Sequence, residues 1–240
     1  MSIIVFTDGA AKGNPGPGGW GAIVVSPDHV AELGGGSSHT TNNRMELSGA
    51  IAALQHVANQ PGSVAIYTDS TYVIQGITQW VWGWRKRGWK TTQGGDVLNR
   101  DLWEQLSSLI GARARGDVDW HWVRGHVGTP GNERADQISV AFALQQSADL
   151  YVGPLDGYAL PILQLPDDTT LPKRSEAAAK TTVAAYSYLS VVDGVPMRHV
   201  TWAECEGRVK GRSGARFKKA TSADDESAIL SGWGIDPNRV

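Results

Sequence analysis

The sequence predicts an α/β fold: a five-stranded mixed sheet flanked by helices, followed by a small α+β unit toward the C-terminus. Three observations lead there. Short β-branched runs open the chain and then alternate with segments of helical period as far as residue 143. Prolines recur through residues 148–182 without a stable spacing, as in a linker. After Tyr186 an alternating pattern resumes for about 50 residues, a length that builds only a small core.

Residues 3–8 (IIVFTD) read as the first strand, and residues 9–19, with Pro15 and Pro17, as a glycine-rich turn. Residues 20–26 and 30–35 follow as strands on either side of Pro27 and Asp28, which completes an antiparallel meander. From Asn42 the period changes. Leu47, Ala50, Ile51, Leu54 and Val57 recur at helical spacing, Thr41 or Asn42 can cap the start, and Pro61 with Gly62 ends the segment. Residues 64–68 (VAIYT) make a buried strand that ends at Asp69 and Ser70. Residues 71–82 and 98–110 read as helices, 118–124 (VDWHWVR) as an alternating strand, and 132–143 as the last helix of the group. The expected domains are 1–147, a Pro/Thr/Ala-rich linker over 148–185, and a second domain over 186–232. In that second domain a strand (YSYLSVV), a turn at Asp193 and Gly194, a strand through His199 and a helix from Trp202 follow in order.

A 41% hydrophobic and 19% charged composition is that of a globular chain. There is no apolar run of about 18 residues and no basic leader before Asp8, so a cytoplasmic setting and no membrane partner are expected; a monomer is the default expectation, on which the sequence itself is silent. The single Cys205 excludes an internal disulfide framework and a cysteine-based zinc site. A net charge of −2 does not mark a nucleic-acid binder, but the charges are unevenly placed. Arg85, Lys86, Arg87 and Lys90 cluster, and residues 198–219 hold seven basic side chains against two acidic ones. Between residues 80 and 90 four tryptophans interleave with four cations. That segment is either a packed helix with solvated charges or a ridge that grips a DNA backbone by phosphate neutralisation and stacking.

Asp8 ends the first strand, Asp69 follows the fourth, Glu46 lies in the first turns of the helix between them, and Asp136 in the last helix can add a fourth carboxylate. Carboxylates gathered at one sheet edge repel one another unless a cation neutralises them. Oxygen donors without cysteine favour Mg²⁺, or Mn²⁺ in its place, over zinc. Two such ions about 3.5–4 Å apart would clamp both oxygens of an in-line phosphoryl displacement. Any one of these acids alone is equally well a solvated cap at a strand end.

Five motifs in order carry a resemblance. FTDG at 6–9 with GNPGPGGWG at 13–21, TNNRME at 41–46, YTDS at 67–70, VRGH at 123–126 and GNERAD at 131–136 resemble the type I ribonuclease H family. The resemblance implies a ribonuclease H-like sheet and an endonuclease that cuts the RNA strand of RNA–DNA hybrids, leaving 5′-phosphomonoesters by two-metal-ion hydrolysis. By that resemblance Asp8, Glu46, Asp69 and Asp136 are the metal ligands and His126 moves protons or releases product. Asn14, Asn42 and Asn43 would contact the hybrid. Tyr72, Trp80 and Trp84 would line a DNA-strand channel beside the basic residues Arg85, Lys86 and Arg87. Thr41 and Asn99 match a phosphate pocket whose usual arginine is His39 here.

Residues 201–205 (TWAEC) and 214–219 (GARFKK) resemble a second family, the hybrid-binding or viroplasmin-like domain, which usually sits at the N-terminus. Trp202, Phe217, Lys218 and Lys219 are the positions this resemblance assigns to the nucleic-acid backbone. Two other readings compete: a different metal nuclease on the same fold, and a non-catalytic hybrid-binding protein. Incubating labelled hybrid with Mg²⁺ separates the three.

Overall fold

The computed structural model describes residues 2–125, 128–172, 185–212 and 214–236. The first compact unit reaches Leu171 and the second begins at Pro172.

In the first unit β1 (Ile3–Ala11) pairs antiparallel with β2 (Gly16–Val25), and β2 with β3 (His29–Thr40). On its other side β1 runs parallel to β4 (Val64–Thr68), which runs parallel to β5 (Val118–Trp122). A short β6 (Val152–Pro154) adds to β3, so the order is β5-β4-β1-β2-β3-β6. The sheet therefore has six strands where five were expected. The sixth comes from the proline-marked segment. Pro154 lacks an N–H, and an edge strand is where a sheet tolerates that loss.

Helix α1 (Asn42–His56) covers one face, with Leu47, Ala50, Ile51 and Leu54 buried against Val5 and Ile66. Its C-terminal end is held by Arg113, whose guanidinium donates to the carbonyls of Val57 (3.0 Å), Gln60 (3.1 Å) and Gly62 (2.6 Å). The segment expected as one helix over 71–82 follows a continuous helical path but changes pitch. It runs as α2 (Thr71–Gln75), a π turn (Gly76–Trp80) and α3 (Val81–Lys86). Gly76 sits against the ring of Trp103 from α4 (Arg100–Gly111), where any Cβ would overlap the indole.

Helix α5 (Pro130–Ala143) covers the other face, and its approach explains the glycines. A Cβ on Gly19 would collide with the Ser139 carbonyl, one on Gly21 with that of Ala135, and one on Gly34 with the Phe142 ring. Gly21 and Gly34 lie in segments expected as strands, but Gly19 does not: β1 and β2 together take in most of the expected turn over 9–19. The three glycines are there to let a helix close on the sheet.

Residues 149–171, expected as linker, form a strap across the α5 side of the sheet. The Glu32 N–H donates to the Tyr151 carbonyl (2.8 Å) at one edge, and the Trp122 N–H to that of Thr169 (3.1 Å) at the other. Between them Ile162 is buried in the cluster that contains Phe6, Val25 and Val30. Burying one such side chain contributes about 1.5–3 kcal/mol, enough to hold a segment that has little regular structure. The remainder of the expected linker, residues 173–184, lies outside the described residues.

In the second unit β7 (Ser187–Val192) is central, flanked antiparallel by β8 (Val195–His199) and β9 (Arg216–Ala220). Asp193 and Gly194, both at positive φ, turn β7 into β8, as a two-residue hairpin requires. Helix α6 (Trp202–Val209) starts with a capping box between Thr201 and Glu204, and α7 (Ala223–Gly232) with Ser222 accepting from Asp225 N (3.1 Å). Among the described residues no helix is long and apolar enough to cross a membrane.

Candidate metal centre and nucleic-acid face

Three carboxylates meet at one end of the central strands. Oxygens of Asp8 on β1, Glu46 on α1 and Asp69 just after β4 all lie within 4.8 Å of one another. Asp8 and Glu46 are almost fully buried, and Asp69 is half-buried. The local sequence makes this possible. Gly9 sits against the backbone of Met45 and Glu46, where a Cβ would overlap the Glu46 nitrogen, so glycine lets α1 bring Glu46 onto β1. Gly125 leaves room for the Asp69 carboxylate in the same way. Ser70 caps α2 through Val73 N (3.4 Å), which fixes the turn after Asp69.

Asp8 and Glu46 are oriented by this chain's own donors. The Gly9 N–H donates to Asp8 Oδ1 (2.6 Å), and Asn42 Nδ2 donates to Glu46 Oε1 (3.2 Å). Glu46 Oε2 is buried with no hydrogen-bond partner among the described residues. Burial first, and then the charges of Asp8 and Asp69, push the Glu46 carboxyl well above its ordinary range; the bonds from Asn42 and Gly9 pull the other way. Burial and crowding of acids with an orphaned carboxylate oxygen fit a hard divalent cation, whose charge would reverse the repulsion.

Asp136 is half-buried on α5 and is not among the three acids that lie within 4.8 Å of one another. Its helix is nonetheless beside them: Ala135 lies over Gly21, the cross-strand neighbour of Asp8. One turn earlier on the same helix face, Asn132 is buried with neither amide atom bonded among the described residues. His126 lies outside the described residues.

Around the acids the expected nucleic-acid residues form two groups. Asn14, exposed in the β1–β2 turn, accepts from Asn42 N (3.3 Å), which joins that turn to the start of α1; Asn43 beside it is exposed. Thr41 caps α1 without a side-chain bond. One turn on, Arg44 donates to Asn99 Oδ1 (3.4 Å) and pairs with Asp101 (2.6 Å). Arg44 was not singled out in the sequence as a site residue, although it stands inside the TNNRME motif; its link to Asn99 spans 55 residues.

Tyr72, Trp80 and Trp84 are only half-exposed. With Trp103 they close a ring of tilted and edge-on contacts at separations of 5.3–6.0 Å, and the Tyr72 hydroxyl accepts from Asn99 Nδ2 (3.2 Å) and Trp103 Nε1 (3.1 Å). The aromatic ridge is thus rooted in the core, while Arg85, Lys86 and Arg87 project into solvent.

In the second unit Tyr188, Trp202 and Phe217 form a ladder with ring centroids 5.7 and 5.6 Å apart, and Trp202 and Phe217 are exposed by 41% and 50%. The pleat of β9 puts Phe217 and Lys219 on one face and Lys218 on the other, so the lysine pair is divided between two faces.

Residues 1–143 match the RNase H family model. The chain is 54% identical over 138 residues to a ribonuclease H of Alcanivorax borkumensis, covering 58% of this chain and 89% of that protein. It is 55% identical over 137 residues to a ribonuclease HI of Caulobacter vibrioides, covering 57% and 89%. The crystal structure of LC9-RNase H1, a type 1 RNase H with the type 2 active-site motif, superposes with a TM-score of 0.55 at 33% identity, covering 63% of this chain and 77% of that one. The RNase H domain of PFV shares the fold alone, at 19% identity and a TM-score of 0.52 over 60% of this chain and 96% of that one. With its acidic cluster set on this fold, the chain belongs to the type I ribonuclease H family, metal-dependent endonucleases that cut the RNA strand of RNA–DNA hybrids.

Proposed function

We propose that the enzyme works with two Mg²⁺ ions, for which Mn²⁺ can substitute, held by Asp8, Glu46, Asp69 and Asp136. The observation that carries this is the meeting of three acids from β1, α1 and the β4 end within 4.8 Å, with a buried Glu46 oxygen left for a cation. Bound there, such ions would supply charge to polarise the phosphoryl group and to lower the pKa of an attacking water. The chain's own residues do the rest. Gly9 N and Asn42 Nδ2 fix the ligand oxygens of Asp8 and Glu46 before any cation arrives, so little reorganisation is left to binding. The resemblance assigns proton movement or product release to His126.

Hybrid recognition divides in the same reading. Asn14, Asn42 and Asn43 offer short polar groups to the shallow groove that displays 2′-hydroxyls. Thr41, Arg44 and Asn99 receive a phosphate, and Trp80, Trp84 and Arg85 to Arg87 hold the DNA strand. The second unit adds a duplex-binding surface through Trp202, Phe217 and Lys219, with Lys218 reaching a phosphate from the other face. Monomeric action in the cytoplasm completes the proposal. The test uses a hybrid labelled on each strand in turn. RNA cleavage with 5′-phosphate ends in Mg²⁺, abolished by EDTA, is expected; cleavage of the DNA strand, or activity in EDTA, overturns it.

A further inference from the structure

We propose that the strap, residues 149–171, is a positioning element of the catalytic unit: its far end holds edge strand β5 where the Trp122 indole fixes Asp69.

The inference rests on the metal-site reading and begins from the topology. Asp69 follows β4, and among the described residues the strand on the outer side of β4 is β5. β5 is five residues long and would present open backbone groups at the sheet edge. The strap closes that edge. The Trp122 N–H donates to the Thr169 carbonyl (3.1 Å), and His121 Nδ1 faces the Thr169 hydroxyl at 3.3 Å. His121 in turn stacks on Tyr67 of β4 at 4.7 Å between rings. From this held strand the Trp122 indole N–H donates to the backbone carbonyl of Asp69 (3.2 Å). One residue therefore receives the strap on its backbone and grips the acid's backbone with its side chain.

Both ends of the strap are built to stay. At the near end the buried Glu32 carboxylate takes two bonds from Arg134 (2.8 Å each) and one each from Tyr158 (2.6 Å) and Tyr151 N (3.0 Å). At the far end Asp168 Oδ1 accepts from both the backbone N–H (2.9 Å) and the hydroxyl (2.6 Å) of Thr170, a turn that presents the Thr169 carbonyl to β5. A carboxylate that must meet a cation within a few tenths of an ångström gains from such support, because the backbone that carries it cannot drift.

The test compares full-length wild type with Trp122→Phe, Asp168→Ala and Asp168→Asn. Trp122→Phe keeps an aromatic ring and removes the donor. Asp168→Ala removes the turn, whereas Asp168→Asn removes the same charge but keeps an acceptor for it. Three quantities are read: Mg²⁺ binding by calorimetry without substrate, kcat and KM on a labelled hybrid, and the Tm without metal. The loss of one half-buried hydrogen bond at Trp122, and of exposed ones at Asp168, sets the scale. Trp122→Phe should raise the Mg²⁺ Kd about three- to tenfold and lower kcat comparably, with KM for hybrid unchanged. Asp168→Ala should raise the Kd about two- to threefold, and Asp168→Asn should match wild type.

Wild-type Mg²⁺ binding by Trp122→Phe would overturn the link to Asp69. Equal behaviour of the two Asp168 variants would overturn the role of the strap, and that pair alone decides if Trp122→Phe does not fold. Absence of Mg²⁺ binding to the wild-type protein sinks the metal reading itself, a result distinct from both.

Discussion

Asp69 shares its pocket with two other acids, so replacing it with asparagine removes a charge without removing bulk. Asp69→Asn should lower kcat on a labelled hybrid at least about 10²-fold while hybrid affinity, measured without turnover, holds. Near-normal turnover would take Asp69 out of the mechanism. This acid and its partners were legible because each stands in a motif of several residues, and five such motifs in order leave little room for chance. Glu32 was not legible. Its partners Arg134, Tyr151 and Tyr158 lie 102, 119 and 126 residues away, and nothing local marks an acid inside VAELG as the centre of a network. Burial by itself would raise the Glu32 carboxyl, but the bonds from Arg134, then Tyr158 and Tyr151, outweigh it and leave the group below its ordinary 4.5. A depressed folded value stabilises the protein above the unfolded value and loses that contribution as pH falls through the folded one. Glu32→Gln should therefore cost about 2–3 kcal/mol at pH 7, read from urea unfolding. The gap to wild type should narrow progressively below about pH 4.5. A gap independent of pH would mean that the carboxylate charge is not what holds the network.

Elements were legible wherever one period ran long enough to dominate. α4 and α5 stand within two residues of their expected bounds, and α1 starts at Asn42 as expected but ends at His56, before the expected stop at Pro61 and Gly62. Glycine and proline misled, since a glycine-rich run reads as a turn and recurrent prolines read as a linker. Gly19, inside the expected turn, is instead a strand position over which α5 lies, as are Gly21 and Gly34 in the strands the sequence does predict; that need appears only when the helix is in place. Gly21→Ala would drive a methyl group into the Ala135 carbonyl and crowd the Ile138 side chain, so α5 must shift. The expected cost is about 1–3 kcal/mol in urea unfolding, with a further loss of kcat because α5 also carries Asp136. An unchanged midpoint would show that helix and sheet have slack between them. Prolines 154 and 161 sit at an edge strand and a turn of the strap, both places that need no proline N–H. β9 escaped notice for a different reason: RFKKA has three cations and one buried residue, and its pairing with β7 is fixed by tertiary contact.

At the scale of the molecule the functional boundary is where the first unit closes, at Leu171, not where regular helix ends. A chain ended after residue 147 would lose Ile162 from the core and Tyr151 and Tyr158 from the partners of Glu32, and would leave both sheet edges open. A chain ended after Leu171 keeps all three. The longer truncation should then fold with a Tm close to that of the full chain and retain kcat on a short hybrid, while the shorter one unfolds at a markedly lower temperature. Removing the second unit should show in binding instead. Residues 198–219 carry seven basic side chains against two acidic ones, beside the exposed ladder of Trp202 and Phe217. If about three of these cations meet phosphates, deleting the unit reduces the slope of log affinity against log salt by about 3. Repeated cutting of long hybrids should fall with it, because a second tethered contact no longer holds the enzyme near its substrate between turnovers. An unaltered salt slope in the chain ended after Leu171 would leave the second unit without a part in hybrid binding, whatever the catalytic unit does alone.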